Sequence, residues 1–221
     1  MSSKSRNGID SFQTAVIPVK SLAFAKSRLS NRLNSEQRIA LSLNLLKNVL
    51  EVVTNSSLNE VVVLGHDHEV ASMAEVWGVD FVEDGGGGLN HELKAVFDGL
   101  SEENKSCIYI AADLPFLHVD DIEKMISISN HGEIITICPS DRDDGTNGLL
   151  VPAGSLLRPS LGKSSYSMHK YLAELLNSEY VVCRSDGWGI DLDVSSDLDR
   201  ILESQPDFKD RMLVRPQKDT P

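Results

Sequence analysis

Apolar residues recur along this chain with two periods. Ile39, Leu43, Leu46, Leu50 and Val53 fall at helical spacing and predict an amphipathic helix beginning near Asn34 or Ser35, where Asn34 and Gln37 can form a capping box. Short continuous runs read instead as strands: TAVIPV (14–19), VVVL (61–64), VDFV (79–82), CIYIAADLP (107–115), EIITICP (133–139), GLLVP (148–152) and YVVC (180–183). Further helices are expected near 69–77, 90–100, 119–129, 165–177 and 197–203. Strands alternating with helices predict an α/β fold, a single three-layer domain with a mostly parallel mixed sheet over residues 13–203. Residues 1–12 and 204–221 are polar and aperiodic, and are expected to be flexible termini.

Composition fits one globular domain: 221 residues, 41% hydrophobic and 24% charged. Acidic residues exceed basic ones by 33 to 21, for a net charge of −12, which argues against nucleic acid as a partner. No stretch has the length of a signal peptide or membrane span, so a cytoplasmic protein without membrane attachment is expected. Cys107, Cys138 and Cys183 are widely spaced in apolar runs and read as core residues, neither disulfide nor zinc ligands. The six histidines show no metal-ligand spacing and read as surface residues, and no GxSxG or Cys/His nucleophile signature occurs.

Ligands of such sheets gather beyond the carboxyl ends of the strands, so residues just after each strand carry the information. After the first come Lys20, Lys26 and Arg28, a local cationic loop suited to phosphates and to charge developing in phosphoryl transfer. The run Gly85-Gly86-Gly87-Gly88, then Leu89 and Asn90 opening a helix, lets backbone approach a base or phosphate. It is neither a P-loop nor a GxGxxG fingerprint. Asp113 ends an apolar run, and Asp191 and Asp193 lie two apart, pointing the same way in an extended segment; three such carboxylates suit Mg²⁺ bridging to phosphates. Residues 143–147 (DDGTN) read as a turn whose Thr146 and Asn147 can donate to an anion, and Gly162 to Ser165 before a helix offer a small-anion cradle. Each feature alone is equally compatible with a solvated loop, a turn or a helix cap.

Six segments in order are harder to explain that way: VIPVKSLAFAKSRL, EDGGGGLNHEL, AADLPFL, DRDDGTNGLLV, LGKSSYSMH and GIDLDVSSDLD. Over residues 14–203 the chain resembles the guanylyltransferases of coenzyme F420 biosynthesis, the 2-phospho-L-lactate guanylyltransferases and their phosphoenolpyruvate-using relatives. The resemblance implies a Rossmann-like, glycosyltransferase-A-like nucleotidyltransferase. It would transfer GMP from GTP to a three-carbon phosphoacid (2-phospho-L-lactate, phosphoenolpyruvate or 3-phosphoglycerate), release pyrophosphate, and supply a downstream transferase. It also implies site roles. Lys20, Lys26 and Arg28 would hold the GTP phosphates, with Lys20, Arg28 and Asp113 as the catalytic set; Gly85, Gly86, Gly87, Gly88, Leu89 and Asn90 would accommodate guanosine. Asp113, Asp191 and Asp193 would bind Mg²⁺, and Thr146, Gly162 and Ser165 the phosphoacid. The chain departs from the family's usual Phe-Gly…GSF cradle, reading Leu161-Gly162-Lys163-Ser164-Ser165-Tyr166.

Asp191-Leu192-Asp193 is also an Asp-x-Asp, so a nucleotide-sugar glycosyltransferase is an alternative, as is another metal-dependent nucleotidyltransferase of this architecture. A non-catalytic nucleotide-binding module is a third reading. A homodimer is the base-rate expectation.

Overall fold

The computed structural model describes residues 12–216. Seven strands form one sheet in the order β3-β2-β1-β4-β6-β5-β7. They are β1 (Gln13–Pro18), β2 (Glu60–Gly65), β3 (Asp80–Glu83), β4 (Ser106–Ile110), β5 (Ile135–Pro139), β6 (Thr146–Val151) and β7 (Tyr180–Val182). β1 to β4 pair in parallel, as do β5 and β7, whereas β6 runs antiparallel to both its neighbours. Every residue of β1, β4, β5 and β6 is buried. Successive side chains point to opposite faces, so a strand with no exposed position has both faces covered, as a three-layer α/β domain requires.

The helices are α1 (Ser35–Thr54), α2 (His68–Val76), α3 (Leu89–Glu102), α4 (Val119–Ile128), α5 (Ser165–Leu175), α6 (Asp186–Gly189), α7 (Ser195–Ser204) and α8 (Phe208–Met212). α1 opens on the expected capping box: Gln37 N–H donates to Asn34 Oδ1 at 2.9 Å and Asn34 N–H to Gln37 Oε1 at 3.0 Å. Its apolar stripe is wide enough to serve two cores. Leu43, Leu46, Leu50 and Val53 face the main core against the sheet, while Leu41 and Leu45 join Leu29, Leu33, Leu192, Leu198, Ile201, Phe208 and Met212 in a second cluster. That second cluster matters for the site, because Leu29 belongs to the cationic loop and Leu192 to the Asp-x-Asp segment.

It also corrects the expectation of a loose C-terminus from residue 204. α8 buries Phe208 and Met212, the Asn44 amide donates to the Met212 and Val214 carbonyls at 3.0 and 2.8 Å, and Arg215 pairs with Glu36 and Glu69. Two widely spaced apolar residues in a five-residue helix carry too little periodicity to be read from sequence. Residues 1–11 and 217–221, also expected to be flexible, lie outside the described residues. The three cysteines are buried, as expected. Among the described residues no helix is long and apolar enough to cross a membrane.

β6 is the topological device that shapes the site. Because it is antiparallel, its beginning, not its end, lies at the carboxyl edge of the parallel strands, where the Ala111 N–H donates to the Asn147 carbonyl at 2.9 Å. The β5–β6 register shifts between Cys138 and Pro139, and Ser140 follows directly. Such irregularities re-aim the side chains beyond them.

Candidate functional site

The cationic loop leaves β1 through two 3₁₀ turns, Leu22–Phe24 and Ser27–Leu29. Lys26 between them is left-handed, at φ 45° and ψ 40°, a strained conformation for a non-glycine residue that surrounding contacts must hold. Leu22 and Leu29 are buried, the Leu22 N–H donates to Asp67 Oδ2 at 2.9 Å, and Arg38 Nε donates to the Ala25 carbonyl at 3.1 Å. Thus clamped, the loop sends Lys26 Nζ to within 2.6 Å of Asp113 Oδ2 and Arg28 Nη1 to within 2.8 Å of Asp193 Oδ2. Lys20 is exposed just past β1.

Asp113 sits in the turn after β4, and the Leu192 N–H donates to its carbonyl at 3.1 Å, which brings the 190–194 segment alongside. That segment is extended, with Leu192 buried in the second cluster. Asp191 is buried. Its Oδ1 accepts from Ser140 Oγ at 2.9 Å and Asn147 Nδ2 at 3.4 Å, its Oδ2 from Arg142 Nη2 at 2.8 Å. Burial, and then the charge of Asp113, push the Asp191 pKa upward against the lowering effect of Arg142. Arg142 spans the site: Nη1 donates to Asp197, which also accepts the Asp193 and Val194 N–H groups at 2.9 and 2.8 Å. Burial opposes the Arg142 charge, but Asp191 and Asp197 outweigh it and raise its pKa.

The predicted aspartates therefore meet the predicted cations on one edge, but not as a ready metal cage. Each carboxylate faces a cation, and among the described residues no three His, Cys, Asp or Glu side chains are gathered to hold a metal ion. The donor chemistry nevertheless suits a hard cation: all three groups are carboxylates, and beyond the effect of its burial Asp191 feels the negative charge of Asp113, a repulsion that a divalent ion would relieve.

The glycine run joins β3 to α3. Gly86 and Gly88 have φ of 82° and 91°, a left-handed backbone that favours glycine, and a Cβ on Gly87 would press on the His91 side chain. The Gly87 N–H already donates to Glu92 Oε1 at 2.8 Å. Asn90, expected beside the base, has its amide engaged elsewhere. Oδ1 accepts the Leu161 N–H at 2.7 Å and Nδ2 donates to the Leu161 carbonyl at 2.9 Å. The glycine loop and the 161–166 cradle are thereby joined.

In that cradle Gly162 is at φ 131° and Ser164 is left-handed. The Ser165 N–H donates to the Gly162 carbonyl at 3.2 Å and the Tyr166 N–H to the Asp144 carbonyl at 2.9 Å, so these two amides are occupied. Thr146 lies at the start of β6, not in the turn expected for residues 143–147, and Asn147 beside it is held by the Trp188 carbonyl at 2.8 Å. The β5–β6 pairing reaches Thr146 and draws both residues into the strand. The histidines divide five to one against a uniform surface reading: His66, His68, His91, His118 and His131 are exposed, whereas His169 is fully buried. Arg142, Asp197, Ser140 and His169 were not singled out from sequence, since each becomes informative only through a distant partner. A groove of about 370 Å³ lies at the opposite end of the sheet, lined by Thr54, Asn59, Glu60, Trp77 and Asp80. It brings together no comparable set of charge pairs, and the chemistry is assigned to the carboxyl edge.

Residues 13–215 match the family model described as "Guanylyl transferase CofC like". The phosphoenolpyruvate guanylyltransferase of Rubrobacter xylanophilus is 31% identical over 191 residues, 86% of this chain and 93% of that protein. The 2-phospho-L-lactate guanylyltransferase of Methanocaldococcus vulcanius is 31% identical over 188 residues, 85% of this chain and 83% of the relative. A crystal structure from Desulfovibrio desulfuricans G20, provisionally described as a nucleotide-diphospho-sugar transferase, shares the fold at a TM-score of 0.71 with 14% identity, covering 90% of each chain.

Proposed function

The chain belongs to the CofC-like guanylyl transferases, nucleotidyltransferases by family, and from that premise we propose that it transfers GMP from GTP to phosphoenolpyruvate or 2-phospho-L-lactate, releasing pyrophosphate, in coenzyme F420 biosynthesis. The observation that carries the reading is the set of cation–carboxylate pairs, Lys26–Asp113, Arg28–Asp193 and Arg142–Asp191, gathered beyond the carboxyl edge of the sheet. Two polyanions must share this cleft, and positioning with charge neutralisation is what the reaction needs.

An oxygen of the acceptor phosphate attacks the α-phosphorus in line. The new P–O bond forms as the bond to the α–β bridging oxygen breaks, and the electron pair leaves on pyrophosphate. The acceptor is already ionised near neutral pH, so no protein nucleophile is required. Lys20, Lys26 and Arg28 would receive the GTP phosphates, Lys26 and Arg28 exchanging Asp113 and Asp193 for phosphate oxygens. Asp113 and Asp193, released from those cations, would hold Mg²⁺ with Asp191 behind them, and the ion would supply charge neutralisation at the transferring phosphates. Gly86 to Gly88 give the base a side-chain-free approach, and Thr146, Gly162 and Ser165 would hold the acceptor. 3-Phosphoglycerate is a third acceptor to be tested.

The test is incubation with GTP, Mg²⁺ and each acid in turn, measuring pyrophosphate and product mass. Acid-dependent pyrophosphate with a guanylyl adduct is the expected result, with Lys26→Ala and Asp113→Asn folded but turning over at least roughly a hundredfold more slowly. Acid-independent pyrophosphate, or transfer only from a nucleotide-sugar, would overturn it.

A further inference from the structure

His169 sits one turn into α5 on the same buried face as Ser165 and Ala173. Both its ring nitrogens are engaged. The Ser160 backbone N–H donates to Nε2 at 2.9 Å, and Nδ1 lies 2.9 Å from Thr146 Oγ1. A backbone N–H can only donate, so Nε2 must present its lone pair, and the single proton of a neutral imidazole must be on Nδ1. Nδ1–H therefore donates to the Thr146 hydroxyl oxygen. The hydroxyl's own proton is then excluded from the ring and has to be offered elsewhere.

We propose that His169 is a positioning residue for the acceptor: it fixes the Thr146 hydroxyl as a donor aimed at an anionic oxygen of the phosphoacid. The proposal rests on the acceptor reading given above. Burial supports it by lowering the His169 pKa to about 4, which keeps the ring neutral and the donor direction single-valued at physiological pH. A doubly protonated ring would set Nε2–H against the Ser160 N–H. Ser160 adjoins Leu161, whose backbone is held from the other side by Asn90, so the ring also anchors one end of the cradle loop.

The measurement has two arms on the full chain. Nitrogen-15 NMR of histidine-labelled protein at neutral pH should show His169 with a protonated Nδ1 and a bare Nε2; the opposite tautomer would overturn the proposal whatever the kinetics. Separately, Thr146→Val and His169→Gln should each raise KM for the phosphoacid roughly tenfold or more, as expected for losing a hydrogen bond to a charged group, with KM for GTP within about twofold. Combined, they should cost no more than Thr146→Val alone, because the ring acts through that hydroxyl. Thr146→Ser, which keeps the hydroxyl, should remain within about threefold of the parent. Fully additive effects, or equal rises in both KM values, would reduce His169 to a packing residue. Should no acid be turned over by the parent chain, the acceptor reading fails on its own, while the nitrogen spectrum still decides the polarity of the Thr146 bond.

Discussion

Acidification tests the buried neutral histidine directly. The His169 pKa is lowered from 6.5 to about 4 by burial. Above pH 6.5 the ring is neutral in both folded and unfolded chains and adds no pH dependence. Between pH 6.5 and 4 the unfolded chain binds a proton that the folded chain refuses, so stability falls with pH; below about 4 both are protonated and the loss is complete. A difference of this size amounts to about 3 kcal/mol in full, from ~1.4 kcal/mol per unit, of which roughly 1.4 kcal/mol is already lost at pH 5.5. That pH stays above the isoelectric point near 4.9, where solubility is lowest. Urea unfolding of the parent and His169→Gln at pH 7.5 and 5.5 isolates the term, since other titrating groups cancel in the difference. The stability gap between the two proteins should shrink by roughly 1.4 kcal/mol, a tenfold change in the folding constant, on going to pH 5.5. A gap unchanged to within about 0.3 kcal/mol would mean that the ring accepts its proton as readily in the folded state as in the unfolded chain, and that burial does not hold His169 neutral below pH 6.5.

Other expectations concern the carboxylates and the packing beneath them. The raised pKa of Asp191 means its ionised form is disfavoured by the fold: stability linked to this group is present at low pH and lost as pH rises through the folded value. Asp191→Asn should accordingly keep or raise the melting temperature at pH 7 while lowering turnover; a large drop in both would make Asp191 chiefly a structural ion-pair partner. Millimolar Mg²⁺ added on top of GTP should raise the melting temperature of the parent above that with GTP alone and not do so for Asp113→Asn, and equal rises would remove Asp113 from the cation site. At Gly148 an added Cβ would lie 2.7 Å from the Trp188 ring, so Gly148→Ala should cost about 1–3 kcal/mol by overpacking and lower the melting temperature by several degrees.

The sheet was legible because its central strands are buried on both faces and so read as continuous apolar runs; β1, β4 and β5 are of this kind. The predicted charged edge was legible for the same reason, since Lys26, Arg28 and Asp113 follow strands whose ends are marked by loss of hydrophobicity. Pairings across long stretches of chain were not. Arg142 reads as one more charge in an acidic loop until Asp191 and Asp197 are seen around it. His169 lies on a helix whose exposed Met168, Tyr171 and Leu175 blur the apolar stripe, so its burial left no clear periodic mark. Asn90 illustrates a third limit: its position at the start of α3 was legible, but its partner, the Leu161 backbone, belongs to a loop that spacing alone does not place.

The antiparallel insertion of β6 also constrains the order in which the molecule can be assembled during synthesis. β1 to β4 complete a four-stranded parallel half by Ile110, yet the free side of β4 gains its partner only when Thr146–Val151 emerges. β5 is made earlier but reaches the sheet only through β6. A nascent chain halted between Pro139 and Val151 therefore carries unpaired the two edges, one of β4 and one of β5, that β6 will join, both of largely apolar, normally buried sequence, the kind along which chains associate with one another. Truncation in this segment should yield aggregating fragments, whereas completing these six residues closes both edges at once.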